Sequence, residues 1–164
     1  MKKKLFYLST LLLAVMMTIG CSKKEDDSIE GYFEYAGKTH SIKEAEQIFY
    51  GHYFGENSNN VSLIFATAEH YIFIDLFVPN SSTRLVEGTY EADNSYEEFT
   101  VSQGLVLKDE STILYRMIDG TLTVKLSGNV YTIGMEGTLE DNTSITGKFI
   151  GRINWVDGTE GWLS

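Results

Sequence analysis

An alternation of apolar and polar residues through the C-terminal third of the chain constrains the fold most. Turn-forming residues interrupt it at 127–129 and again at 140–144. Since side chains along a β-strand point alternately to two faces, this period of two predicts three consecutive antiparallel strands with one buried face. The apolar members of the pattern are Leu122, Val124, Leu126, Tyr131, Ile133, Met135, Leu139, Ile145, Phe149 and Ile153.

The remainder of the chain carries weaker signals of the same kind. One hairpin is predicted from 32 to 42 with its turn at Gly37, and a second joins 61–68 to 70–78. The last of these segments is apolar on both faces, which predicts a central strand covered on both sides. The chain has 15 Gly and only one Pro. We therefore expect an all-β fold, a single antiparallel β-sandwich or barrel of about eight to ten strands with a meander at its C-terminal end.

Residues 41–54 give an ambiguous pattern. Ser41 and Glu44 have the spacing of a helix capping box, whereas 48–54 is rich in aromatic residues typical of strands. We expect at most one turn of helix here, followed by a strand.

The N-terminus has the composition of an export signal. Residues 2–4 are lysines, and 5–19 form an apolar run shorter than the roughly 20 residues that a membrane-spanning helix needs. The run ends at residues 18–21, Thr-Ile-Gly-Cys, which resemble a bacterial lipobox, where small residues precede a cysteine that becomes lipidated. The resemblance implies a membrane anchor on Cys21.

Cys21 is the only cysteine of the chain. Once it carries lipid, no intramolecular disulfide can form, so the domain depends on its core even in an oxidising envelope. Each buried lipid CH₂ contributes about 0.8 kcal/mol, so that two or three acyl chains give a stable anchor. The predicted organisation is a signal peptide at 1–20, a flexible tether at 21–30 and a β domain at 31–164.

Two short patterns in the tether carry further resemblances. Residues 22–27, Ser-Lys-Lys-Glu-Asp-Asp, resemble the signal that directs lipoproteins of the Bacteroidota to the outer face of the outer membrane. Residues 27–29, Asp-Ser-Ile, resemble a short O-glycosylation site of the same phylum, with Ser28 as the modified residue. Together they imply a lipid-anchored protein of the cell outer membrane that faces the exterior.

The β domain carries a resemblance of its own. Residues 88–90 are Gly-Thr-Tyr, and 128–133 are Gly-Asn-Val-Tyr-Thr-Ile. A Gly-Thr-Tyr turn and a terminal Gly-Asn-x-Tyr-Thr-Ile hairpin are similar to those of small Bacteroidota lipoproteins of unknown function. The resemblance implies a β-rich envelope protein and supplies no catalytic residue.

Charge excludes one class of partner. The 13 basic residues include the three lysines of 2–4, so cleavage leaves 10 against 23 acidic residues, a net charge of −13. Such a chain is repelled by phosphate backbones, and we expect no nucleic-acid partner.

The sequence contains no motif of a catalytic or metal centre. Its histidines, His40, His52 and His70, lack metal-ligand spacing, so a metal site would need long-range convergence. A Gly-x-Ser-x-Gly elbow is absent, no cysteine remains free, and the paired carboxylates lie in predicted loops. We expect a protein that is not an enzyme and holds no cofactor and no metal.

Asp75 and three aromatic residues are the candidates for ligand contact. Asp75 alternates with aromatic residues in a strand, and a buried carboxylate needs a partner or becomes protonated. A structural ion pair with an arginine (Arg84, Arg116 or Arg152) is the favoured explanation, and a polar contact inside a ligand cavity is the functional one. Tyr50, Tyr53 and Trp155 could form a platform for sugars, although aromatic residues more often fill cores.

Three functions follow from these observations. The first is a surface module that binds a glycan or a small ligand. The second is a structural or accessory lipoprotein that docks on another envelope protein. A hydrolase ranks last, because no nucleophile or metal motif is present. The fold alone cannot choose among them, since sandwiches and barrels serve many functions.

Overall fold

The computed structural model describes residues 29–108, 111–113 and 115–159. All regular elements within these residues are strands. They are β1 (Glu30–Tyr35), β2 (Lys38–Ser41), β3 (Glu44–Gly51), β4 (Asn59–Ala66), β5 (His70–Val78), β6 (Gly88–Ala92), β7 (Thr100–Lys108), β8 (Ser111–Ile113), β9 (Met117–Ser127), β10 (Val130–Leu139), β11 (Ser144–Gly151) and β12 (Asn154–Asp157). In this part of the chain no helix has the length and apolar character needed to cross a membrane.

The strands form one strongly curled, mixed sheet with the shape of a half-barrel. Its path runs β12-β3-β4-β5-β7-β6-β9-β10-β11-β1-β2, and β8 pairs with β7 off this path. The prediction of an all-β fold is confirmed. The predicted pattern is wrong in two respects, because the described residues form twelve strands and their sheet is not antiparallel throughout. β12 pairs with β3 in parallel, and so does β6 with β7.

The predicted meander is confirmed as β9, β10 and β11. Ile133 of β10 lies opposite Val124 on one side and Phe149 on the other, and all three are buried. Gly147 lies two residues before Phe149 on β11, at a position where a Cβ would crowd the backbone of Tyr32. The lack of a side chain at this glycine therefore allows β1 to lie close against β11.

Residues 42 and 43 connect β2, at one end of the sheet path, to β3, which is second from the other end. The amide of Ile42 donates to the Gly31 carbonyl (2.9 Å), and the amide of Lys43 donates to the Ala66 carbonyl (2.8 Å). β2 pairs with β1, and β3 pairs with β4. Only residues 42 and 43 separate β2 from β3, so the chain passes from one strand pair to the other within two residues. This bend lets β3 and β4 face β10 and β11 across one shared core.

No helical turn forms between β2 and β3. Glu44–Gly51 is a strand from its first residue, so the capping-box interpretation of Ser41 and Glu44 is wrong. Ala45 and Gln47 are buried while Glu44 is exposed. Pairing with β4 satisfies the backbone, and this burial follows a period of two that a helix could not provide.

The predicted hairpin of β4 and β5 is confirmed, and β5 lies centrally between β4 and β7. Its inner face is fully buried in the core. Its outer face is covered at one end only, since Phe77 is buried whereas Tyr71 is 50% exposed. The expectation of cover on both faces therefore holds for the C-terminal end of β5 and fails at its start.

Candidate functional site

An open cleft of about 670 Å³ lies at one end of the half-barrel, between β3 with β12, the segment before β6, and the turn from β9 to β10. Sites for small molecules commonly measure about 300–1,000 Å³. The side chains on which its chemistry depends are Gln47, Arg84, Glu87, Tyr131, Arg152 and Trp155.

The floor of the cleft is a buried hydrogen-bond network. Gln47 points to the inner face of β3, and its Oε1 accepts from the Leu85 amide at 2.9 Å. Its Nε2 donates to the Tyr131 hydroxyl at 3.3 Å, and that hydroxyl donates to the Leu85 carbonyl at 3.4 Å. Because both polar backbone atoms of Leu85 are held in this way, the segment that carries Arg84 has a fixed position over β3 and β10.

The wall of the cleft is built on Trp155 of β12. The indole Nε1 donates to the Thr83 carbonyl at 2.9 Å, which orients the ring. The Arg84 guanidinium carbon lies 5.2 Å from the ring centroid, a cation–π contact. Stacking engages the flat face of a guanidinium and leaves its in-plane N–H donors directed outward.

Charge in the cleft differs from charge on the chain as a whole. Arg84 and Arg152 both line it, with Glu87 as the only acidic residue of the described lining. In a chain of net charge −10, two arginines therefore converge on one concave surface. Guanidinium groups bind carboxylates, sulfates and phosphates through paired hydrogen bonds. The cleft is thus suited to a small ligand with an anionic group.

The predicted contact residues fall into two groups. Tyr50, Tyr53 and Asp75 lie together at the outer face of β3 and β5, and the rings of Tyr50 and Tyr53 are 6.3 Å apart. Trp155 is paired in register with Gln47 and belongs to the cleft. The four residues therefore do not form one site. Cys21 and Ser28 lie outside the described residues.

Asp75 lies on the face of β5 that points away from the core. The Ser62 hydroxyl donates to Asp75 Oδ1 across the β4–β5 pair. Burial raises the pKa of Asp75, and the hydrogen bond from Ser62 opposes this rise. The predicted arginine partner is absent from these interactions, and Arg84 and Arg152 lie at the cleft instead. Asp75 is accordingly part of a structural polar pair.

Tyr53 belongs to an aromatic cluster that packs over the end of β5. Its ring meets Phe54 edge-on at 4.7 Å, and Phe54 contacts Phe77 at 5.8 Å. Tyr96, from the segment after β6, stacks on Phe54 at 5.4 Å and meets Phe77 at 5.3 Å. The packing explanation for aromatic residues thus accounts for most of this group, while Tyr53 itself stays 54% exposed.

Comparison of the chain with family models, with curated proteins and with solved structures gives no match. The cleft geometry is therefore the basis for a functional assignment. The sequence predicts Arg84 and Arg152 only as possible partners of Asp75, and it indicates no site role for Gln47 or Tyr131. Their separation along the chain leaves no local pattern that would have linked them.

Proposed function

We propose that this protein is a lipid-anchored envelope lipoprotein of the Bacteroidota type whose cleft binds a small ligand or glycan that carries an anionic group. In this proposal Cys21 holds the chain at the outer face of the outer membrane, the residues between Cys21 and β1 act as a tether, and the β domain presents the cleft. The role is binding and not catalysis.

The convergence of Arg84, Arg152 and Trp155 around the cleft is the observation that carries the proposal. A carboxylate or sulfate of the ligand would accept from the in-plane donors of Arg84 and from Arg152. The indole and the apolar part of the wall would contact the ligand's carbon skeleton. An acidic sugar combines both features in one molecule.

A binding role is also supported by the carboxylates at the cleft. Hydrolysis of glycosides ordinarily requires two carboxyl groups about 5–9 Å apart. The described lining offers one, Glu87. A hydrolase therefore remains the less favoured alternative.

The cleft is tested with the chain from residue 21 in which Cys21→Ser prevents lipidation. Titration calorimetry with acidic and neutral oligosaccharides should show binding of acidic ones only. Arg84→Gln removes a charged hydrogen-bond donor, which is worth about 1.5–3 kcal/mol, so affinity should fall by about 10- to 150-fold. Lys125→Gln, an equal loss of charge at an exposed position of β9 outside this cleft, is the matched control.

Equal affinity for acidic and neutral ligands would contradict the proposed ligand class. The same holds if Arg84→Gln and Lys125→Gln change the affinity equally, since binding would then depend on overall charge and not on the cleft.

The anchor is tested separately in cells. Cys21→Ser should abolish labelling by a fatty-acid analogue and release the protein from membranes. A protein that partitions with membranes unchanged after this substitution would overturn the lipoprotein assignment. Protease treatment of intact cells should degrade the wild-type domain, and its survival would place the domain on the periplasmic side.

An accessory role is favoured by the exposed side chains on the outer face of β12, β3 and β5. Tyr53, Tyr71 and Val156 are 54%, 50% and 39% exposed. Docking on an envelope protein would bury them. Crosslinking in cells that is lost in Tyr53→Ser with Tyr71→Ser, and kept in Arg84→Gln, would support this second function over the first.

A further inference from the structure

Two histidines that are far apart in sequence meet inside the half-barrel. His40 lies on β2 and His70 begins β5, and their ring centroids are 4.5 Å apart. Both are buried, with 8% and 5% of their surfaces exposed. The ring of Phe33 stacks on His40 at 4.9 Å and limits its orientation.

The turn from β4 to β5 brings a carboxylate to the same place. Thr67 Oγ1 accepts from the amides of Glu69 and His70 at 3.2 and 2.9 Å, and donates to the His70 carbonyl at 3.0 Å. Three hydrogen bonds from one hydroxyl thus fix the backbone that carries Glu69 and His70. One nitrogen of each imidazole and a carboxylate oxygen of Glu69 lie within 4.8 Å of one another.

His70 Nδ1 is buried and has no hydrogen-bond partner. A buried polar atom without a partner costs about 1–3 kcal/mol, so such atoms are rare in native proteins and ask for an explanation. Coordination of a cation would satisfy this nitrogen. The ring nitrogen therefore points to a ligand independently of the clustering of the three side chains.

We propose that His40, His70 and Glu69 bind a divalent transition-metal ion, Zn²⁺ in the first place. Two imidazoles and one carboxylate form a donor set typical of zinc, whereas Ca²⁺ and Mg²⁺ prefer oxygen ligands alone. Zinc–nitrogen distances of about 2.0–2.1 Å require donor atoms that lie closer to one another than 4.8 Å. Glu69 is exposed and can make this adjustment, while the buried rings supply a preformed half of the site.

The fourth coordination position would face solvent beside Glu69. Three protein ligands with one open position characterise zinc sites that hold water or an external ligand. The metal site shares no residue with the cleft, so each proposal can be tested independently of the other.

Metal binding is tested with the chelator-treated chain from residue 21, again with Cys21→Ser. Titration with ZnCl₂ should show one ion per chain and a rise in the unfolding temperature. Co²⁺ should give the visible absorption of a four-coordinate site with nitrogen ligands. Glu69→Gln alters an exposed side chain and should leave the fold intact, yet lower the Zn²⁺ affinity at least about tenfold.

Matched controls come from a loop elsewhere in the chain. His52 and Glu56 are exposed, and His52→Gln and Glu56→Gln should leave the Zn²⁺ affinity unchanged. His40→Gln should weaken it, with circular dichroism to verify folding. Absence of stoichiometric binding, or equal loss in Glu56→Gln and Glu69→Gln, would overturn the proposal. Arg84→Gln should keep full Zn²⁺ affinity, so a failed ligand assay at the cleft leaves this result interpretable.

Discussion

The side-chain amide of Gln47 donates to the hydroxyl of Tyr131 across the interior, although 84 positions separate the two residues. This contact joins β3 to β10, and the Leu85 amide completes it by donating to Gln47. The same three residues support the candidate cleft. Stability and ligand affinity should therefore respond together when the network is altered.

Gln47→Leu should destabilise the domain by about 1–3 kcal/mol, because the Leu85 amide is left buried without a partner. Tyr131→Phe should cost less, since Gln47 then still accepts from Leu85. Urea unfolding at neutral pH measures both. A Gln47→Leu protein as stable as wild type would show that the network contributes little.

Asp75→Asn should change how stability depends on pH. Burial raises the pKa of Asp75, so the folded state holds the proton more tightly than the unfolded state does. Wild-type stability therefore declines as pH rises from the ordinary aspartate range through the raised pKa, by at most about 1.4 kcal/mol per pH unit for one proton. Asp75→Asn removes this decline, so its stability relative to wild type should improve as pH rises.

Asp157→Asn should change the pH dependence of stability in the opposite direction from Asp75→Asn, measured by the same urea unfolding. Hydrogen bonds from the side chain and then the backbone of Thr159 lower the pKa of Asp157. The ionised Asp157 side chain therefore stabilises the folded state at pH values above the ordinary aspartate pKa. This stabilisation is lost as pH falls through the lowered pKa. Relative to wild type, Asp157→Asn should thus be weakest at neutral pH. Identical pH profiles for the two variants would contradict both assignments.

Gly120→Ala should destabilise the sheet by at least about 2 kcal/mol. Gly120 has φ +135°, and a Cβ there would overlap the Glu136 carbonyl and the Gly137 Cα on β10. Gly55→Ala, where a Cβ meets nothing within 4 Å, should stay within about 0.5 kcal/mol of wild type. Thermal unfolding of the two variants compares them, and equal shifts would argue against close approach of β9 and β10 at Gly120.

Tyr90→Phe should cost about 0.5–1.5 kcal/mol at neutral pH, because the buried Tyr90 hydroxyl donates to the Val86 carbonyl at 2.9 Å. Burial raises the pKa of Tyr90 well above the ordinary tyrosine range. The folded state therefore loses stability as pH rises beyond about 10. Ultraviolet titration counts the tyrosines that ionise only when the protein unfolds. Tyr90→Phe should have one fewer of these than wild type, and an equal number would contradict the burial of the Tyr90 hydroxyl.

Local alternation was sufficient to predict the strands that pair with their neighbours in sequence. The β9–β10–β11 meander and the β4–β5 hairpin follow from it, because each register is set by a short turn. The capping-box pattern at Ser41 failed since its signal is local, whereas Ala45 and Gln47 are held by pairing with β4. The parallel contacts of β6 and β12 have no local signature either, because they depend on where the curled sheet places distant strands.

Local sequence patterns predict the candidate sites even less well than they predict the strand pairing. The sequence predicts Trp155 beside Tyr50 and Tyr53 in a platform for sugars, whereas in the structure it lines the cleft. Arg84, one of three arginines predicted as partners of Asp75, lines the cleft as well. His40 and His70 have no metal-ligand spacing in the sequence, and only the bend at 42–43 and the Thr67 turn bring them together. Side chains that converge through tertiary register carry no periodicity that a sequence could display.

The pairing of β1 with β11 has a consequence for biogenesis. Glu30 lies opposite Ile150 and Tyr35 opposite Ile145, separations of 120 and 110 residues. In a chain that emerges N-terminus first, β1 can pair at once with β2, but its other edge has no partner until nearly all of the chain has appeared. Until β11 has been made, the second edge of β1 stays unpaired and is open to edge-to-edge association with other chains.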